Sequence, residues 1–169
     1  MIPERPGARR QRHDSVRGPG HRASDMIPFA TGSRPARPTS GPLPTARIVL
    51  LGASNLALTF RWAKAAALAA AGPGPAEVLA ATGLGRAYGV PSRILLREQP
   101  AILQSEIWDR LAIAHQQQAL PVYALVTDLG NDLAYGVTAD TFTRTIADCL
   151  ARLTNVGARI AVTPFPLES

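Results

Sequence analysis

Hydrophobic positions first become ordered at Arg47-Ile48-Val49-Leu50-Leu51, a continuous β-branched and aliphatic run that Gly52 stops. An unbroken run of this length suits a strand covered on both faces, which predicts a central parallel strand. Thr59 to Ala71 is dominated by Ala, with Lys64 and Leu68 also strong helix formers, and Gly72-Pro73-Gly74-Pro75 ends it. This is the expected first crossover helix. Ala76 to Ala81 reads as a second, short strand, and Thr82-Gly83-Leu84-Gly85 as the loop after it. Ser92 to about Gln118 has a helical period broken at Pro100, with Ile102, Leu103, Ile107, Leu111 and Ile113 expected along one face. Pro121 to Thr127 reads as a third strand, left through Asp128-Leu129-Gly130-Asn131-Asp132. Thr138 then N-caps a helix to about Thr154, whose Phe142, Ile146, Leu150 and Leu153 are spaced to face a sheet, and Asn155 and Gly157 close it. Ala158 to Thr163 supplies a fourth strand. Four strands alternating with three helical crossovers predict an α/β fold, a parallel sheet in a three-layer α/β/α arrangement.

Residues 1–45 lack this order. They are rich in Arg, Pro, Gly and Ser without a hydrophobic period, and such a segment cannot bury enough surface to offset the entropy of ordering it. The expectation is a disordered tail, a dispensable leader or else a docking arm, ahead of one domain over residues 46–169. Met26 opens Met-Ile-Pro a second time, so either Met1 or Met26 can be the start.

The formal charge of +6 suggests a nucleic-acid partner only until it is divided along the chain. The first 45 residues hold eight Arg against Glu4, Asp14 and Asp25, and the remainder is nearly neutral. A basic tail supports weak, salt-sensitive attraction to polyanions, not specific recognition by the domain. Cys149 is the only cysteine, which excludes an intramolecular disulfide and a multi-thiolate zinc site; its place in a helical run reads as a buried thiol. No apolar run approaches the ~18 residues of a membrane span, and none at the N-terminus has signal-peptide length. A cytoplasmic protein is the default expectation.

In parallel sheets, ligands bind beyond the carboxyl ends of the strands, so the loops that follow them carry the candidate chemistry. After the first strand comes Gly52-Ala53-Ser54-Asn55-Leu56, after the second Gly83 and Gly85, and after the third Gly130-Asn131-Asp132. Ser54 alone reads as a helix cap or turn residue, Asn131 as a turn residue, and Asp132 as a cap or an arginine partner. A dinucleotide-binding loop is excluded twice: Gly83-Leu84-Gly85-Arg86-Ala87-Tyr88 has Tyr at the third glycine position, and no glycine pair follows Gly52. The one lysine, Lys64, follows no glycine-rich loop, so there is no phosphate-binding P-loop either.

Taken in order, a strand, Gly-x-Ser-x-Leu, a glycine loop, then a strand and Asn-Asp resemble the SGNH (GDSL-type) hydrolases over most of residues 47–169. The proline-rich exit Thr163-Pro164-Phe165-Pro166-Leu167 is also similar. The resemblance implies a flavodoxin-like sheet and a serine hydrolase acting on a small-molecule ester without a cofactor. It implies Ser54 as nucleophile, with Gly83 or Gly85 and the Asn131 side chain as oxyanion-hole donors. The residue types suit that chemistry: serine attacks a carbonyl, glycine lets a backbone donor approach, and a neutral amide donates a hydrogen bond without adding a competing base.

Three departures accompany the resemblance. Ala53 stands where the family has Asp, and Leu129 stands where it has Gly. The family's Asp-x-x-His pair has no counterpart: His13 and His21 fall in the tail, and His115 lies in a helix expected away from the strand-end loops. The domain is therefore expected to be incomplete at its C-terminus, a truncated hydrolase with weak or no activity. The alternative is a genuine short relative: a non-catalytic α/β module binding a small ligand or phosphate, with an open sheet edge able to pair with a second copy.

Overall fold

A computed structural model describes residues 41–94 and 96–163. The tail expected over 1–45 lies outside the described residues up to residue 40, as do His13, His21, Pro164 and Pro166. Order starts slightly earlier than the hydrophobic pattern suggested, because the Thr45 N–H already donates to the Pro75 carbonyl at 2.8 Å.

Strand β1 (Ala46–Leu51) is buried along its whole length. It pairs in parallel with β2 (Ala76–Ala81) on one side and with the later strand Val122–Val126 on the other. The last strand, Arg159–Val162, adds outside Val122–Val126, also in parallel. Between them run α1 (Ser54–Ala71), an antiparallel pair β3 (Ser92–Ile94) and β4 (Arg97–Gln99), and a short 3-10 turn at Ile102–Gln104. The chain continues through α2 (Ile107–Gln117), β5 (Val122–Val126), α3 (Asn131–Ala134), α4 (Ala139–Asn155) and β6 (Arg159–Val162). The sheet order is β2-β1-β5-β6, so the chain steps outward from β1 to β2 and then crosses back over β1 to reach β5. Strand order therefore reverses between β1 and β5, and the crevice of a doubly wound sheet opens beyond their carboxyl ends.

Alternation along β1 divides the core. Val49 and Leu51 face one side with Leu79, Val126, Leu111 of α2 and Leu153 of α4. Ile48 and Leu50 face the other, with Leu56, Phe60 and Ala63 of α1. Helices on both faces make the three-layer α/β/α arrangement that the unbroken apolar strand predicted. On its face, α1 leaves an apolar groove of about 400 Å³ beside β5 and β6.

Three helical expectations are corrected. Ser92–Ile94 and Arg97–Gln99 form the β3–β4 pair, not the first half of a helix: Pro91 and Pro100 bracket the segment, and Gln99 before Pro100 is held to extended backbone. Ile113 is 53% exposed, because α2 buries Ile107 and Leu111 four residues apart and position 113 turns away from that line. Helix α1 also starts at Ser54, five residues before the expected Thr59. Both ends of α4 follow the pattern: Thr138 Oγ1 accepts from the Thr141 N–H at its start, and Gly157 at φ +68° lets the Ala158 N–H return to the Leu153 carbonyl at its close.

Candidate functional site

Leu51 is in register with Val126, so the chain leaves β1 and β5 side by side. Gly52 makes the close exit workable. A Cβ there would lie 2.7 Å from Thr127 Cγ2 and 2.9 Å from Leu56, so a side chain would push the start of α1 away from β5. Ser54 is the first residue of α1, and its side chain does not cap the helix. Its Oγ instead accepts the Gly85 N–H at 2.9 Å.

Gly83 and Gly85 have different jobs. The Gly83 carbonyl accepts the Arg86 N–H in a tight turn, and the Gln99 carboxamide lies against the position a Gly83 Cβ would fill. Gly85 sits third in that turn with φ +60°, a left-handed conformation that glycine adopts freely. Of the two, it is Gly85 whose N–H reaches Ser54.

Asn131 opens α3, and its Nδ2 donates to the Arg86 carbonyl at 2.9 Å. Ser54 and Asn131 thus grip adjacent residues of one loop, and both line a cavity of about 440 Å³ together with Asn55, Thr127, Asp128 and Thr163. The cavity occupies the topological switch point between β1 and β5. Neither Gly83 nor Gly85 lines it.

Other residues hold this arrangement, and of them only Asp132 had an expected role, as a cap or an arginine partner. Asp132 is fully buried and accepts the Tyr88 N–H at 2.8 Å and the Gly89 N–H at 2.7 Å, so its partners are backbone amides and not an arginine. The Tyr88 hydroxyl lies 2.7 Å from the Thr127 carbonyl and 3.1 Å from that of Leu51, bridging the ends of β5 and β1. Burial drives its phenol pKa far above the ordinary value, so it remains a donor. The Tyr135 hydroxyl donates to the Gly85 carbonyl at 2.6 Å. The Asp128 carboxylate accepts the N–H groups of Ala53 and Leu56 and the Asn55 side-chain amide. The only advance signal for these residues was their nearness in sequence to the flagged loops.

Cys149 is buried in the core beneath the sheet, away from the cavity. His115 lies toward the opposite end of the sheet. Its neighbour Ala114 accepts from Arg47 Nη2 at 2.8 Å, and Arg47, near the start of β1, is about 17 Å from Gly52 at the rise of an extended chain. The described residues contain no group of three or more His, Cys, Asp or Glu placed to hold a metal ion. No described helix is long and apolar enough to cross a membrane. Comparison with known proteins gives no match, either to a protein-family model or to a curated sequence.

Proposed function

We propose that the crevice is an SGNH-type acyl-binding site, with Ser54 as the nucleophile position and Gly85 and Asn131 as donors to a developing oxyanion. One observation carries the reading: Ser54 and Asn131, 77 positions apart in the numbering, bind the consecutive residues Gly85 and Arg86, and both line one cavity. A hydroxyl and a carboxamide lining one crevice, with the Gly85 N–H bound to that hydroxyl, are the kinds of group that acyl transfer needs for attack and for charge stabilisation. Ester hydrolysis is the reaction class that fits them.

Activity of this chain by itself is expected to be weak. A serine hydroxyl needs a base at neutral pH, and His115 is at the wrong end of the sheet. Loss of a triad member leaves roughly 10³ to 10⁴ over the uncatalysed rate. With an activated aryl ester, the purified chain should show slow turnover that Ser54→Ala abolishes and Asn131→Ala lowers by about 10². Turnover at full enzymatic rates, or turnover indifferent to Asn131, would refute the assignment.

A second reading is a non-catalytic module that binds a small ligand. It is favoured by the Gly85 N–H being engaged by the Ser54 hydroxyl. Of its possible ligands, phosphate fits poorly, since Asp128 lines the cavity and neither Lys nor Arg does. Thermal stabilisation by neutral ester analogues without turnover would select this reading; stabilisation by nucleotides would point to the phosphate ligand instead.

A further inference from the structure

Asp128 is the one non-glycine residue with positive φ among the described residues, at +59°. Backbone in this region is costly for a residue with a side chain, and Asp and Asn bear it better than most. Such strain persists only where surrounding interactions over-determine it. Here they are three hydrogen bonds to one short segment: Oδ2 accepts the Ala53 N–H at 2.8 Å and the Leu56 N–H at 2.9 Å, and Oδ1 accepts Asn55 Nδ2 at 2.8 Å. All three link the exit of β5 to the exit of β1.

The segment that receives these bonds needs them. The residue before α1 is Ala53, which has no side-chain acceptor, and α1 has no acidic residue in its first turn. An α-helix starts with N–H groups that have no partner within the helix. Asp128 supplies the missing acceptor from the neighbouring strand's loop, taking the amides of Ala53 and Leu56 and leaving those of Ser54 and Asn55 without an acceptor among the described residues. Both Ser54 and Asn55 line the cavity.

We propose that Asp128 is a positioning residue that caps α1 across the crevice and so fixes the Ser54 hydroxyl and the unpaired amides of Ser54 and Asn55 toward the bound group. This rests on the acyl-site reading for what is bound there, but the capping itself does not depend on it. The position calls for a carboxylate specifically. Asparagine would accept the left-handed backbone equally well, yet it has a single acceptor oxygen, and its NH2 group would match Asn55 only after that exposed amide turned over. Asp128 also neutralises the positive end of the α1 dipole, which leaves the cavity suited to an uncharged ester whose negative charge appears only during reaction.

Two measurements on the full chain test this: amide hydrogen exchange, and the rate at which a fluorophosphonate modifies Ser54, read by intact mass. In the unaltered protein the Ala53 and Leu56 amides should exchange far more slowly than those of Ser54 and Asn55. Asp128→Gly, which tolerates the backbone without strain, should accelerate exchange at Ala53 and Leu56 by at least about tenfold, leave Val49 in β1 unchanged, and slow Ser54 modification by a similar factor. Asp128→Asn keeps the side-chain shape and should fall between the two. Unchanged exchange at Ala53 and Leu56 in both variants would overturn the proposal, as would an unchanged Ser54 rate once their protection is lost. If Ser54 is never modified but the exchange changes appear, the capping stands and the nucleophile reading falls.

Discussion

At the residue scale, two buried groups of similar size behave in opposite ways. The Asp132 carboxylate accepts two backbone N–H groups, which is the compensation a buried polar group requires. The Cys149 thiol sits in hydrocarbon, where burial, reinforced by Asp148 and opposed by Arg152, pushes its pKa from the ordinary 9.0 up to about 12. In the unfolded chain the thiol loses its proton first, so the folded state binds more protons between about pH 9 and 12. Stability contributed by Cys149 is therefore intact below pH 9 and is lost as pH rises through that window. Urea midpoints should decline from about pH 9 upward, and Cys149→Val should flatten the decline. An unchanged slope in that variant would show that the thiol is not its source. Residue type and position were enough to flag Ser54 and Asn131 in the sequence. The use of Asp132 was not readable there, because its partners lie 43 and 44 residues away and only folding brings them together.

At the scale of elements, β1 carries a charge where its pattern suggested only hydrocarbon. Arg47 is 2% exposed. It pairs with Glu77 of β2 at 2.7 Å and donates from Nη2 to the Ala114 carbonyl near the end of α2, so one side chain ties together two strands and a helix. Removing one partner of a buried pair costs about 3–5 kcal/mol, and the partial exposure of Glu77 places Arg47→Ala near the lower figure. Chemical denaturation should detect that loss; a change within 0.5 kcal/mol, roughly the range of ordinary surface substitutions, would contradict it. The unbroken apolar run made the central strand legible, and the Ala-rich stretch did the same for α1. The β3–β4 pair was hidden because its apolar residues also fit a helical period. What decides between the two is the pair of flanking prolines and the antiparallel partner, and a period count weighs neither. The start of α1 was missed for a related reason: its capping group comes from Asp128, 75 positions after Ala53, while local sequence shows only Gly-Ala-Ser-Asn.

At the scale of the whole molecule, the order β2-β1-β5-β6 puts the crevice where two halves of the winding meet. The alternation of strands and helices made the layers legible, whereas the strand order depends on where the long connection from β2 to β5 lands and only the fold shows it. The cavity draws on the exits of β1 and β5 and on Thr163 after β6, with the turn from Gly83 to Gly89 clamped behind it. No contiguous fragment contains all of these, and each clamp joins pieces that meet only once the sheet has closed. The cavity is then expected to be an all-or-none feature of the fold, lost when the sheet opens. Raising urea should abolish Ser54 modification and far-ultraviolet ellipticity at one shared midpoint; loss of modification well before the sheet melts would mean that the clamps open on their own.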